Sequence, residues 1–300
     1  WALKKGKIIS STSYTDRTIF EQDDDGASFN RSFEVYDGDE NLDFFAGTIY
    51  KRNLSTQLNQ ELRFTSSFGG KLDFTVGAFY MDLQEKENWL SRSIGAAPYI
   101  SLNIYEDPDF AAEVSDPEPD FYDFGGLYGN TEIAFFGEVY VNITKQLKAT
   151  LGLRYFDAAL SIDSYETGFI VDTEYFEVIG DVSEKGINPR FNLTYQLDKD
   201  VLFYANAARG FRLGDLNEIV PFIYCEEELV DLPNGVHPRT FESDFLWNYE
   251  LGVKSTLANG KIMANAAVFY NDWQNLQQNR NLECGYNFTS NVGSAHTLGL

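Results

Sequence analysis

Apolar and polar residues alternate along most of this chain with a period of two. That is the spacing of strands with one face in a nonpolar environment and the other in a polar one. Between Gln57 and Phe68 the apolar positions are Leu58, Leu62, Phe64 and Phe68, with Asn59, Glu61, Arg63 and Thr65 between them. After the turn Gly69-Gly70-Lys71, Leu72, Phe74, Val76, Ala78 and Tyr80 continue the pattern. Phe135, Val139, Val141 and Ile143 form the next run; beyond Thr144-Lys145-Gln146 follow Ala149, Leu151, Leu153 and Tyr155. The second half repeats the design in Ile187 to Leu197, Val201 to Arg212, Trp247 to Leu257 and Ile262 to Tyr270. Its turns are Asp198-Lys199-Asp200 and Ala258-Asn259-Gly260, the latter a hairpin signal. Adding Lys7 to Phe20 and Phe288 to Leu300, the pattern predicts roughly ten strands of about ten residues or more. Strands in soluble sheets usually run about five or six residues.

The connections are of two kinds. Tight turns fall at Lys4–Gly6, Gly69–Lys71, Thr144–Gln146, Asp198–Asp200 and Ala258–Gly260. Long polar connections lie near 21–56, 91–128, 166–185, 213–245 and 277–287. In an up-and-down meander alternate connections share an end, so one end carries short turns and the other long loops. A soluble sandwich has no reason for that bias. An all-β, antiparallel, up-and-down transmembrane β-barrel has one, with short periplasmic turns and long extracellular loops. No window approaches the 18 consecutive apolar residues of a helical span.

Charge sharpens this picture. The 300 residues carry 46 acidic and 23 basic side chains, a formal net charge of −23. Such an excess excludes nucleic-acid binding as the main activity, because phosphate neutralisation needs clustered Lys and Arg. Spans 21–46, 82–132, 157–184, 213–246 and 271–290 hold 39 of the acidic and 5 of the basic residues, so the loop end is −34 and the remainder +11. Lys4, Lys5, Lys7, Lys71, Lys145, Lys148, Lys199 and Lys261 cluster at the turn end. A hydrophobic content of 43% is too high for a disordered acidic chain, and 2 cysteines exclude a disulfide-stapled miniprotein or a multi-cysteine zinc fold. The stripes end in Tyr80 and Trp89, Tyr155, Tyr204, Trp247 and Tyr249, and Tyr270 and Trp273, expected to form interfacial aromatic girdles. By parity Arg63, Arg154 and Arg190 face the lumen.

Several stretches resemble the barrel of TonB-dependent outer-membrane receptors. Gln60-Glu61-Leu62-Arg63-Phe64-Thr65-Ser66 and the strand Leu72 to Tyr80 are similar to a consecutive pair in that family. Phe135-Phe136-Gly137-Glu138, Leu151-Gly152-Leu153-Arg154-Tyr155, Phe203-Tyr204-Ala205 through Arg209-Gly210-Phe211-Arg212, and Asn248 to Lys254 follow in family order. Ala266 to Tyr270 and Asn291-Val292-Gly293 continue the series, so the resemblance covers about 57–300. It implies a lumen plugged by a separate domain, a barrel of about 22 strands, and uptake of a scarce ligand, commonly a ferric siderophore, energised by the TonB complex. On that reading residues 1–300 are a partial barrel domain of about ten strands. The chain starts at Trp1 without a signal peptide and is expected to be an internal fragment, with the plug, the energy-coupling segment and the C-terminal strands outside it. Expected partners are outer-membrane lipid and lipopolysaccharide, the plug domain, the TonB complex and a small-molecule ligand, with no nucleic acid. The expected location is the bacterial outer membrane. The alternatives are a passive porin or autotransporter-type barrel, and a soluble extracellular glycan-binding β-protein.

The candidate ligand-binding residues are Trp89, Tyr99, Tyr105, Tyr122 and Tyr128 around the longest loop, and Arg209 and Arg212 at a strand top. Packing of the loop is the competing role for the aromatics. The luminal Arg63, Arg154 and Arg190 are expected to meet the plug or an anionic ligand. Cys225 and Cys284 lie in two loops at the same, oxidising end and are expected to form a disulfide. Asp37, Asp39, Asn41 and Asp43 begin a calcium-loop spacing, but Leu42 stands where that loop needs Gly and Thr48 where it needs Glu. These residues, Asp23-Asp24-Asp25 and the Asp116–Asp123 cluster are read as solvated acidic loop. His237 and His296 lack neighbours at ligand spacing and are expected to be structural. No catalytic constellation, metal site or cofactor motif stands out, so no enzyme activity is expected.

Overall fold

A computed structural model describes residues 2–24, 47–103, 107–115, 120–169, 176–218, 220, 222–230, 232, 235–284 and 286–300. The Asp37–Asp43 stretch, Tyr105, Asp25 and Asp116 lie outside the described residues. Strands β1 (Ala2–Leu3), β2 (Gly6–Asp24), β3 (Thr48–Ser66), β4 (Leu72–Arg92), β5 (Tyr122–Asn142), β6 (Leu147–Thr167) and β7 (Phe176–Gln196) open the chain. Two loop helices, α1 (Ala96–Asn103) and α2 (Pro108–Glu113), separate β4 from β5. Then come β8 (Val201–Arg212), β9 (Asp215–Leu216), helix α3 (Phe222–Leu229), β10 (Thr240–Phe241), β11 (Asp244–Leu257), β12 (Ile262–Gln274), β13 (Gln277–Asn281), β14 (Asn287–Asn291) and β15 (Ser294–Gly299). One antiparallel sheet runs in the order β1-β2-β3-β4-β5-β6-β7-β8-β11-β12-β15, with β9–β10 and β13–β14 as separate two-stranded ribbons. The sheet is open, β1 and β15 being its edges.

Alternation fixes which face each residue meets, because residues paired across antiparallel strands point to the same side. Val76 pairs with Gly137, Gly137 with Leu153 and Leu153 with Pro189; one register step away lie Ala78, Phe135, Tyr155 and Ile187. Leu151, Leu153, Phe135, Ile187, Leu251 and Val268 are exposed on this outward face. On β6 the apolar stretch runs from Leu147 to Tyr155, about 27 Å along the strand at the usual rise per residue, which matches a hydrocarbon layer crossed by tilted strands. It ends at charge: Asp157 pairs outward with Lys185 at 2.8 Å. Just below that level Trp247 stacks on Tyr249 and Tyr249 on Tyr270, a continuous outward aromatic ladder.

The girdle expectation needs three corrections. Trp89, Tyr204 and Trp273 are on the inner face. Trp89 packs against Phe124 with ring centroids 5.2 Å apart, beneath Lys51. Tyr204 covers Gly252 and donates to Glu250. Trp273 lies under the Arg212 guanidinium. The inner face is otherwise polar and paired: Thr65 bonds Thr75, Tyr140 donates to Glu138 at 2.7 Å, and Arg190 reaches the same carboxylate at 3.3 Å.

Strands β4 to β7 are each 21 residues long, whereas β8, β11 and β12 have 12, 14 and 13. A tilted crossing takes about 9–11 residues. The long strands therefore continue well past the apolar band as a wall whose outer side carries mainly polar residues, such as Ser161, Asp163, Asp181 and Lys185. The sequence pattern ends where the band ends, which is why the loops expected near 21–56 and 166–185 are partly strand.

Candidate functional site

Two loops lean over the inner face of this wall. The first, 213–243, carries β9, α3 and β10; the second, 275–293, carries β13 and β14. They are joined at several levels. Asp244, 1% exposed, accepts from the Arg212 guanidinium and from the Gln277 backbone N–H at 3.1 Å. Gln277 Nε2 donates to the carbonyls of Leu213 and Glu242. Asn217 Nδ2 donates to the carbonyls of Pro238 and Thr289 at 2.8 and 2.7 Å, and its Oδ1 accepts from the Thr289 N–H. Val220, Cys225, Leu229, Leu282 and Phe288 bury a small apolar cluster, through which a Cys225–Cys284 disulfide runs with the Cα atoms 5.4 Å apart. Together the loops form one cap.

The cap touches the wall on its inner face. Leu216 lies so close over Gly180 that an added Cβ would sit 2.3 Å from its Cδ2. Above Ala208, where its pairing with β7 ends, β8 brings Phe211 to stack on Phe156 at 3.8 Å, and Leu213 packs on the Ala134–Phe156–Ala158 cluster. Between these contacts remain two hollows. One, of about 350 Å³, is lined by Glu85, Glu87, Tyr128, Asn130, Leu160 and Asp215, among others. The other, of about 420 Å³, lies among Glu184, Gly214, Phe241, Glu242, Ser243 and Phe245. A larger apolar hollow over Leu193, Phe203, Leu251 and Val268 belongs mainly to the outward band.

The first hollow is acidic, and among the described residues the one ion pair to its lining carboxylates is Arg17 on Glu85 at 4.0 Å. Burial pushes Glu87 upward, with help from Glu85; Glu218 rises through burial and Glu87, and Asp215 through burial. Glu166 is pushed up to about 7 by burial and then by Glu218, although Tyr122 hydrogen-bonds it in the opposite sense. The Tyr122 and Tyr128 phenols are raised by the same burial and by the surrounding carboxylates. Asn53 donates to Glu87 at 2.8 Å, while the buried Oδ1 atoms of Asn53 and Asn130 have no hydrogen-bond partner among the described residues. Among the described residues no group of three or more His, Cys, Asp or Glu side chains is arranged to hold a metal ion.

Of the residues singled out in the sequence, the structure brings Tyr122 and Tyr128 to this chamber. Trp89 belongs to the aromatic pack with Phe124, and Tyr99 projects from α1, 41% exposed. Arg209 lies over the Phe245 ring at 4.0 Å and Arg212 clamps the cap root. Arg63, Arg154 and Arg190 line the inner face, paired with Glu61, Glu132 and Glu138. His237 is buried and bonds the Glu218 carbonyl at 2.9 Å, and His296 packs beside Tyr270. Sequence reasoning missed Glu87, Glu166, Asp215 and Glu218. Parity could have turned Glu87 inward; the cap residues carry no local signal.

A family model described as TonB dependent receptor-like, beta-barrel, matches residues 1–300. Among solved structures, the ferric yersiniabactin uptake receptor FyuA from Yersinia pestis aligns with a TM-score of 0.66 at 14% identity, over 99% of this chain and 36% of its own length. The ferric-catecholate import receptor Fiu from K12 E. coli, in its closed form, aligns at 0.59 and 14%, over 99% of this chain and 42% of its own. The copper transporter OprC aligns at 0.54 and 11%, over 85% of this chain and 39% of its own. At such identities the likeness is one of fold, and the chain spans well under half of each of these proteins.

Proposed function

Because the chain belongs to the TonB-dependent receptor family, as part of its β-barrel, we propose that it forms one side of an outer-membrane receptor that imports a scarce ligand, a ferric siderophore, with energy delivered through TonB. Further strands would continue the sheet at its β1 and β15 edges, and a plug domain would fill the lumen. The luminal Arg63, Arg154 and Arg190 would face that plug. The outward band would meet lipid, and the aromatic ladder the lipopolysaccharide interface.

The observation that carries this reading is the division of the sheet into two faces. An outward band of exposed Leu, Ile, Val and Phe ends at an aromatic ladder and then at charge. The inner face carries ion pairs and a capped chamber. A ferric yersiniabactin uptake receptor and a ferric-catecholate import receptor among the similar structures support the cargo class. In this reading Tyr122 and Tyr128 belong to the ligand-facing wall.

The test is uptake of ⁵⁵Fe-loaded siderophores by cells carrying or lacking the intact gene, each with and without TonB. Uptake that needs both supports the proposal. Uptake that needs the gene but survives loss of TonB would point to a passive barrel. Recovery of the intact protein without detergent would remove the membrane reading altogether.

A further inference from the structure

The cap is bound to itself and to the wall by different means. Within the cap, hydrogen bonds link residues far apart in sequence, such as Asn217 with Thr289, and a disulfide joins Cys225 to Cys284. Between cap and wall, Leu216 rests on Gly180, Leu213 on the Phe156 cluster, and Ser243 donates to Glu184. Among the described residues no ion pair joins the cap to β4, β5, β6 or β7. Carboxyls converge there instead: Glu87 from β4, Glu166 from β6, and Asp215 and Glu218 from the first cap loop, with Glu85 of β4 beside them but paired to Arg17 of β2 at 4.0 Å. Tyr122 and Tyr128 come from β5, and Tyr286 from the second cap loop. His237 bonds the Glu218 backbone, with Arg239 nearby, but burial holds its imidazole below the ordinary value and so neutral near pH 7.

Anionic carboxylates facing one another across a closed seam repel, and each also loses hydration. The seam is tolerable when one of them keeps its proton and donates it. We infer that the two loops are a single disulfide-latched cap that docks on the β4–β6 wall through this carboxyl cluster in its proton-sharing form, and lifts from the wall when the cluster fully ionises. The cap is thus a pH-sensitive cover over the chamber, whatever cargo the chamber takes.

The docked state holds a proton that the lifted state, with hydrated carboxyls, gives up. Docking is therefore strongest below the ordinary carboxylate range and weakens as pH rises through about 7, the value to which Glu166 is pushed. Between about pH 5.5 and about pH 8.5 the docked-to-lifted ratio falls roughly 30-fold.

Pulsed electron resonance on the full-length protein in lipid nanodiscs tests this. Spin labels go on genetically encoded ketone residues replacing Val236 on the cap and Ile179 on the wall, both exposed, so that the disulfide is untouched. The expected result is one short distance at about pH 5.5 and a growing long-distance population toward about pH 8.5. E166Q/E218Q should hold the short distance at both values. E226Q, an exposed cap carboxylate, should behave like the parent. A parent distribution that ignores pH overturns the inference. So does an unchanged pH response in E166Q/E218Q, or a response abolished by E226Q.

Discussion

The carboxylate of Asp244, almost wholly buried, receives the Arg212 guanidinium at the point where both cap loops leave the sheet. Burial alone would push Asp244 upward; the hydrogen bonds from Arg212 and from the Gln277 N–H outweigh it and hold the carboxyl below its ordinary value. Its stabilising contribution is therefore present above the ordinary carboxylate range and is lost as pH falls through the lowered value. Replacing Arg212 by Ala strands that charge and should cost about 2 kcal/mol, discounted because the guanidinium is half exposed. D244N should cost less, since the amide still accepts from Gln277. Heat-modifiable gel migration of the two variants reads the difference, and equal midpoints would refute it.

The Cys225–Cys284 disulfide latches the two cap loops together. Cys225 and Cys284 are 59 residues apart, and loss of such a link typically costs about 2–4 kcal/mol. C225S/C284S should leave the barrel folded but make the 213–243 loop sensitive to added protease. Mild reduction of the parent should reproduce this. A loop equally resistant in all three states would mean that the apolar cluster and Asn217 hold the cap by themselves.

The two faces of the sheet should respond oppositely to the same new charge. Leu151→Arg places a guanidinium in the middle of the outward band, where about 2–4 kcal/mol is expected against folding into lipid. Asn192→Arg, on the inner face one register step away, should shift folding by less than about 1 kcal/mol. Refolding equilibria in vesicles check the pair. Similar costs would exchange or abolish the assignment of faces.

Gly180 leaves the space that Leu216 fills. A single Cβ meets only the far end of that flexible side chain, so G180A should be nearly silent. The branched G180V has no such escape and should displace the cap, raising solvent accessibility around Leu216 without changing barrel stability. Footprinting of the two variants measures this, and an unshifted G180V cap would show that Leu216 is not a docking point.

Alternation was easiest to read where one face meets hydrocarbon, as in Leu72–Tyr80 and Ala149–Tyr155. It fades through Glu85–Arg92, Tyr122–Thr131 and Phe176–Glu184, because both faces of the upper wall meet polar surroundings and nothing selects apolar residues on one side. Aromatic content misled for Trp89, Tyr204 and Trp273. A tyrosine suits an interface and a lumen equally, and only its cross-strand partner, Gly252 for Tyr204, gives the face. The cap was illegible for another reason. Asn217 and Thr289 meet across 72 residues, and the acids of the chamber converge from β4, β6 and the cap, so no local window contains the site.

The unequal strand lengths give the mouth of this sheet a slant. At the usual rise, 21 residues make about 70 Å of strand and 13 about 43 Å. The tall side stands over β4–β7, and the cap grows from the low side at β8, β11 and β12. In the proposed receptor a solute arriving over β8, β11 and β12 would meet the cap before the chamber, so the slant would make direction of approach a filter in its own right.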